Sequence, residues 1–172
     1  MAWDKVSGLA VLTAALSGSA FAGAGAPGAN APQGAGLVAR PEIVRFGEHF
    51  KDLYGDVSEL CEVGVIERSN QPVDLPTVKE RQTQIDCIGF NYAGKLRKAH
   101  FQFADDILDM VVIDTDAEEE GSLRKLLIEQ YGKPSPAKKG ETVFLEDGVA
   151  LRTGPPAVVF FSDRLKEQYG SF

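Results

Sequence analysis

The sequence predicts an α+β fold in which two helices pack on an antiparallel sheet, in the order α-βββ-α-βββ. Its 172 residues are 44% hydrophobic and 25% charged, which suits one ordinary core and excludes a disordered chain. Apolar residues recur at helical spacing in two segments, and between and after these segments they alternate with a period of two. These two periodicities, joined by short turn signals, are typical of helices packed on a sheet of hairpins.

The N-terminal segment has the pattern of a secretory signal peptide. Residues 7–22 are uncharged, rich in Ala, Leu and Val, and end in Ala20-Phe21-Ala22, the small-x-small pattern that precedes cleavage. The run is too short and too rich in Gly and Ser for a comfortable membrane span. We therefore predict a signal peptide over residues 1–22, a periplasmic or secreted location, and no stable membrane insertion after cleavage. An uncleaved anchor and a disordered cytosolic tail are the alternatives.

Residues 23–36 contain only small residues, Asn, Gln and Pro, which cannot bury enough apolar surface to offset the entropy of ordering. They predict a flexible Gly/Ala/Pro leader, and a single α+β domain is expected over residues 37–172. The first helix of this domain is predicted over residues 41–54, with Pro41 in its first turn and Gly55 at its C-terminal stop. Its apolar stripe comprises Ile43, Phe46, Phe50 and Leu53.

The two cysteines, Cys61 and Cys87, form an even pair in a chain that we expect to be exported. In an oxidising compartment such a pair usually closes a disulfide, which we predict here. No C-x-x-C motif indicates redox exchange, and no neighbouring Cys or His indicates a zinc site. A nucleophilic cysteine is the remaining alternative.

Three strands are predicted after residue 82, because apolar residues alternate with polar or small ones. The first two strands meet at a hairpin over Ala93-Gly94, and an apolar run over residues 107–113 forms the third. The alternating residues of the first two strands are Ile88, Phe90, Tyr92, Ala99, Phe101 and Phe103.

The second helix is predicted over residues 116–131. Asp116 and Glu119 have the spacing of a capping box, and Gly132 with Pro134 marks the end of the helix. Two strands flanking Asp147-Gly148 form a hairpin, and residues 157–162 form the last strand. In that strand both alternating sets are apolar, so both sheet faces are covered there or one face awaits a partner.

Two pairs of similar strings suggest an internal duplication of the α-βββ unit. Residues 53–56 resemble residues 130–133, and residues 103–107 resemble residues 161–165, although chance recurrence of helix and strand ends is the alternative. In the first copy an insertion falls on residues 68–82, which contain two prolines and no clear period. This segment is expected to be a long loop or an extended edge, and it is either a binding loop or a solvated excursion.

The element order, the helix ends at Tyr54-Gly55 and Tyr131-Gly132, and the Cys61 and Cys87 pair resemble secreted tandem-repeat proteins of the beta-lactamase-inhibitor-protein type. The resemblance covers roughly residues 40 to 169 and lies in the order of elements. It implies a concave antiparallel sheet that holds another protein. The chain lacks the second cysteine pair, and the resemblance transfers no site residue.

The sequence shows no catalytic or metal-binding motif. Asp114-x-Asp116-x-Glu118 has alternating carboxylates, but Glu119 and Lys125 occupy positions where a calcium loop needs Gly and Glu. We interpret these acids as a turn and a helix cap, and we predict no metal and no cofactor. The two histidines, His49 and His100, lack the context of a hydrolase motif, so a hydrolase is the least favoured function.

The 18 basic and 25 acidic residues give a net charge of −7, which argues against a nucleic-acid-binding protein. We therefore predict an exported, non-enzymatic domain that binds a protein or a cell-envelope component through the outer sheet face and the 68–82 loop. The alternative is a periplasmic carrier of a small apolar ligand. The candidate contact residues are Tyr92, Phe101, Phe103 and Phe160.

Overall fold

A seven-stranded antiparallel sheet forms the centre of the computed structural model, which describes residues 35–69 and 75–170. The predicted signal peptide and nearly all of the predicted leader lie outside the described residues. The strands are β1 (Cys61–Ser69), β2 (Gln82–Tyr92), β3 (Lys95–Ala104), β4 (Ile107–Asp114), β5 (Glu141–Phe144), β6 (Val149–Thr153) and β7 (Pro156–Phe161). The α-helices are α1 (Phe50–Glu59), α2 (Glu120–Tyr131) and the short α3 (Lys166–Gly170).

The strands lie in the order β1-β2-β3-β4-β7-β6-β5, and each strand is antiparallel to its neighbours. This confirms the predicted α+β class with an antiparallel sheet. The chain order is α-ββββ-α-βββ-α, so the predicted order lacked strand β1 and helix α3. Strand β1 occupies an edge of the sheet, where most of its side chains are exposed and the apolar alternation is weak.

Helix α1 begins at Phe50, nine residues later than predicted, and continues through Gly55 to Glu59. Gly47 has a φ of +88°, which is incompatible with a helix passing through it. The backbone N–H of Phe50 donates to the carbonyl of Asp106 at 2.8 Å, which fixes the start of the helix on the β3–β4 turn. The segment before it still buries Ile43 and Val44 in the core.

Helix α2 follows its sequence signals closely. Asp116 and Glu119 form a capping box at a 3-10 turn over Ala117–Glu119, which leads into the helix. Leu123 and Leu127 are buried, and Gly132 ends the helix with a φ of +82°.

Both α1 and α2 cover the same face of the sheet, here called the helix face. Leu53 and Val57 of α1 and Leu127 of α2 share one core cluster with the inward residues of the strands. Phe50 meets Phe103 edge to face, with ring centroids 5.3 Å apart. Burial of this apolar surface is the main stabilising contribution to the fold.

The opposite side of the sheet, here called the outer face, is partly covered by the C-terminal segment. Val159 and Phe161 of β7 pack in a second cluster with Leu165 and Tyr169. The rings of Phe161 and Tyr169 stack with centroids 4.2 Å apart. Both faces of the last strand are therefore covered by this chain itself.

The proposed duplication receives mixed support. With β1 included, each long helix is followed by three strands, α1-β1-β2-β3 and α2-β5-β6-β7, and β4 lies between the two sets. However, Phe103 belongs to the core under the helices, whereas Phe161 belongs to the cluster on the outer face. Residues 103–107 and residues 161–165, which are similar in sequence, are therefore not equivalent in the structure.

The predicted disulfide is confirmed. Cys61 and Cys87 are bonded, with their Cα atoms 5.3 Å apart, and the bond joins the first residue of β1 to the middle of β2. Among the helices of the described ranges, none has the length and apolar character needed to cross a membrane.

Candidate binding face

The four aromatic residues predicted as contact residues are core residues in the structure. Tyr92, Phe101, Phe103 and Phe160 expose 3% of their surface or less, and all four pack in the cluster under the helices. Their large apolar side chains serve the interior, so a contact surface must be formed by other residues.

Polar side chains form the outer face of β2 and β3. Because neighbouring residues of a strand point to opposite faces, the residues between the buried aromatic ones lie on the outer side. The sequence analysis placed His100 on this more polar face, and the structure places it there opposite Asp86 of β2. The outer residues of the two strands include Gln84, Asp86, Lys98, His100 and Gln102.

Asp86 is the centre of this polar network. Its side chain has no exposed surface, yet it is held by three basic side chains from the two neighbouring strands, β1 and β3. Nε of Arg68 lies 2.9 Å from the carboxylate, Nζ of Lys98 lies 3.3 Å away, and Nδ1 of His100 lies 2.7 Å away. Gln84 adds a hydrogen bond of 2.5 Å from its amide nitrogen.

The pKa of Asp86 reflects two opposing effects. Burial raises the pKa, because removing a carboxylate from water disfavours its charged form. Hydrogen bonds from Gln84 and His100, together with the nearby charges, outweigh burial and lower the pKa to about 2. Asp86 is therefore ionised at neutral pH, and its charge fixes the positions of the basic side chains around it.

The network continues toward β4 and along β3. Nε2 of His100 lies 3.2 Å from the carboxylate of Asp114, so carboxylates face both nitrogens of the ring. The amide nitrogen of Gln102 donates to the side-chain oxygen of Gln84 at 3.2 Å. These contacts restrict the side chains of the outer face before any partner arrives, which lowers the entropy cost of binding.

A groove of about 450 Å³ lies beside this network. Gln84, His100 and Gln102 contribute polar groups, and Met110 and Val112 of β4 contribute apolar surface. One wall includes Leu75, from the segment between β1 and β2, and another includes Tyr169 of α3. The remaining lining residues are Asp114, Arg152, Pro155 and Gln168.

Buried Asp109 holds the walls of the groove together. Its carboxylate accepts hydrogen bonds from Thr77, in the segment after β1, and from Ser162, at 2.7 Å, just before α3. Arg164 adds an ion pair at 3.4 Å. The two walls are thus connected to β4 by a single side chain.

Asp105 anchors the same segment by its backbone. Its carboxylate accepts hydrogen bonds from the backbone N–H groups of Lys79, Glu80 and Arg81, the last two at 2.8 and 3.0 Å. These bonds lower the pKa of Asp105. Of the predicted 68–82 loop, residues 68, 69 and 82 belong to β1 and β2, and residues 70–74 lie outside the described ranges. Residues 75–81 are held in place by these bonds, and Leu75 lines the groove.

Arg152 lines the groove, and one nitrogen of its guanidinium group lacks a hydrogen-bond acceptor in the described part of the chain. Its Nε atom is buried and has no hydrogen-bond partner among the residues that the structure describes. A buried donor without an acceptor costs free energy, which an acceptor on a bound partner would recover.

A larger cleft, of about 820 Å³, lies elsewhere, between the segment before α1, the end of α2 and the β5–β6 turn. Its rim mixes cations such as Arg40 and Lys166 with acids such as Asp147 and Asp163. No network like that of Asp86 adjoins it in the described ranges, so we regard the smaller groove as the candidate site.

The chemistry of the groove suits binding. Amide and guanidinium groups offer hydrogen bonds beside an apolar floor, which is the usual composition of a recognition site. Within residues 35–69 and 75–170 no three His, Cys, Asp or Glu side chains are grouped as a metal site. His49, the other histidine, is exposed at the start of α1.

No family model, curated protein or solved structure matches this chain.

Proposed function

We propose that this chain is an exported, non-enzymatic binding domain that contacts a protein or a cell-envelope component through the outer face of its sheet and the segment between β1 and β2. The observation that carries the proposal is the groove beside Asp86, whose polar side chains are already held in place. The two walls of this groove come from the segment after β1 and from α3.

The arrangement of charges supports a recognition role. Arg68 and Lys98 are drawn to one fully buried carboxylate, which leaves their remaining donors directed by the network. Donors with restricted positions give specificity, because a partner that lacks matching acceptors leaves them unsatisfied. The disulfide between Cys61 and Cys87 fits an oxidising compartment such as the periplasm or the exterior of the cell.

Site-specific photocrosslinking in intact cells tests the proposal. A photoreactive phenylalanine analogue replaces Gln102, which lies in the groove, and in a matched variant it replaces Lys125, which is 79% exposed on α2. We expect a discrete crosslinked product from position 102 and none from position 125. Equal products from both positions, or none from position 102, would contradict the proposed surface.

A small apolar ligand is the second candidate, because Met110, Val112 and Leu75 give part of the groove an apolar lining. Native mass spectrometry of the protein purified from its producing cells separates the two candidates. A carrier would retain a copurified small molecule, whereas a domain that binds a macromolecule through the groove would carry no bound small molecule.

A further inference from the structure

We propose that β1 pairs with β1 of a second copy of this chain, so that two sheets join edge to edge in an antiparallel, twofold-symmetric dimer. The proposal is independent of what binds in the groove. It rests on three observations. The two edge strands differ in length and in how well their free edges are covered, β1 carries exposed apolar side chains, and the charges of β1 complement each other.

The two edges of the sheet differ in protection. At the β5 edge the strand has only four residues, and Ser135 bridges it through a backbone hydrogen bond of 2.7 Å to Val143. At the other edge β1 has nine residues and, within the described ranges, pairs with β2 alone. A long edge with free backbone groups is a template for another strand.

Exposed apolar side chains lie along this free edge. Val63 is 73% exposed and Ile66 is 46% exposed, and Leu60 directly precedes the strand with 47% exposed. The strand contains neither proline nor lysine, two residues that protect sheet edges, although its register with β2 is irregular between Cys61 and Gly64. Pairing with a second strand would cover this apolar surface.

The charges of β1 complement each other when the strand meets its own copy. If the twofold axis passes Val65, antiparallel pairing places Glu62 of each copy opposite Arg68 of the other. Arg68 pairs with Gln84 of the outer face, whereas Cys61 pairs with Phe90 of the helix face. Glu62 directly follows Cys61, at an irregularity in the register between Cys61 and Gly64, and alternation from Cys61 directs it toward the outer face. Arg68 already lies on that face, where its Nε contacts Asp86.

This pairing gives each outer face a residue from the other copy. Glu62 of one chain reaches the guanidinium of Arg68, beside buried Asp86, on the other chain. The outer faces then form one continuous surface that carries two grooves. Because one strand pair buries less area than a standard interface, we expect a dissociation constant in the micromolar range, on the order of 10 μM.

Analytical ultracentrifugation over a concentration series tests the dimer. We expect the oxidised exported protein to associate reversibly, and Val63→Lys to weaken association at least about tenfold, because a twofold interface contains the change twice. Ile128→Lys on α2, which replaces a 40% exposed apolar residue away from β1, is the control and should associate like the wild type. A wild-type protein that stays monomeric to about 500 μM, or equal weakening by both variants, would overturn the proposal.

A cysteine crosslink tests the register. Val65 pairs directly with Cys87, so Val65→Cys and the comparison variant Leu96→Cys are made with Cys61 and Cys87 replaced by alanine, which leaves one thiol and prevents exchange with the native disulfide. We expect mild oxidation to give a covalent dimer with Val65→Cys and far less with Leu96→Cys, which places the thiol at an exposed position of β3. Equal dimer yields from the two variants would exclude pairing centred on Val65.

Discussion

Nδ1 of His100 lies 2.7 Å from Oδ1 of Asp86, across the pair of strands β2 and β3 on the outer face of the sheet. Asp86 has no exposed side-chain surface, and Arg68 and Lys98 also approach it. A buried carboxylate that holds several basic groups is strongly coupled to folding, because removing it takes from Arg68 and Lys98 the anion that positions them and leaves His100 with Asp114 alone.

We expect Asp86→Asn to lower the free energy of unfolding by about 2–4 kcal/mol at pH 7, because the variant leaves the surrounding cations uncompensated. Urea denaturation followed by circular dichroism measures this change. Asp114→Asn is the matched control, since the side chain of Asp114 is 52% exposed, and it should cost less than about 1 kcal/mol. Equal losses in the two variants would show that the Asp86 network adds no stability.

The same pair of proteins tests the pH dependence. The folded-state pKa of Asp86 is lowered from 3.8 to about 2, so ionised Asp86 stabilises the fold above the unfolded-state pKa. That contribution is lost as the pH falls through the folded-state pKa. The difference in unfolding free energy between wild type and Asp86→Asn should therefore narrow by about 2 kcal/mol between pH 5 and pH 2. A difference that stays constant over this interval would contradict the assignment.

The disulfide supports a second prediction. Replacing Cys61 and Cys87 by alanine opens a loop with a sequence separation of 26, which the chain-entropy description values at about 3.5 kcal/mol. We expect the double variant, and the wild type under reducing conditions, to unfold at lower urea concentration by similar amounts. The reducing agent should have no effect on the double variant, and any effect there would point to a different cause.

Most of the sheet could be predicted from the sequence because its inner strands bury one alternating set of residues. Phe101 and Phe103 alternate with His100 and Gln102, and this pattern gave both the strand and the polar character of its outer face. Strand β1 was missed, since at an exposed edge Glu62 and Glu67 contact water and burial imposes no clear period. The prediction that four aromatic residues form a contact surface was wrong, because large aromatic side chains occur in cores as well as at interfaces and the sequence pattern does not distinguish the two.

The Asp86–His100 contact could not be predicted, because it depends on a β-bulge. The hairpin pairs Tyr92 with Lys95, and without a bulge this register would place Asp86 opposite Phe101. The irregularity between Ile88 and Phe90 shifts the pairing by one residue, so that Asp86 meets His100. This shift changes the partner on β3 of every β2 residue from Gln82 to Ile88.

Gly89, at this bulge, is the subject of a third prediction. It has a φ of +87°, and an added Cβ would lie 3.1 Å from the backbone nitrogen of Val63. We expect Gly89→Ala to cost about 1–3 kcal/mol in unfolding free energy and to disturb the Asp86–His100 contact, visible as a shift of the His100 ring resonances by NMR.

Gly121→Ala is the matched control for this substitution. A Cβ at Gly121 meets no atom within 4 Å, and alanine favours the helix in which it lies. This variant should be as stable as the wild type or slightly more stable, with unchanged His100 resonances. A Gly89→Ala protein with wild-type stability and resonances would show that the bulge does not depend on glycine.

The last prediction concerns Glu119, which connects the β2–β3 hairpin to the start of α2. Its carboxylate lies 2.8 Å from the guanidinium of Arg97, whose side chain is 4% exposed, and 2.6 Å from Nζ of Lys95. Hydrogen bonds from Arg97 and Lys95 lower the pKa of Glu119 from 4.5 to about 2. We expect Glu119→Gln to lower the unfolding free energy by about 1–3 kcal/mol at pH 7, because the buried guanidinium loses its charged partner.

Thermal denaturation at several pH values measures this effect, with Glu118→Gln as the control on an exposed neighbour. Because the folded-state pKa of Glu119 lies below the unfolded value, its contribution is complete above about pH 5.5 and is lost as the pH falls toward 2. The melting temperatures of wild type and Glu119→Gln should therefore converge on acidification, while Glu118→Gln follows the wild type throughout. If Glu119→Gln melts with the wild type at pH 7, the pair with Arg97 does not hold the hairpin to the helix.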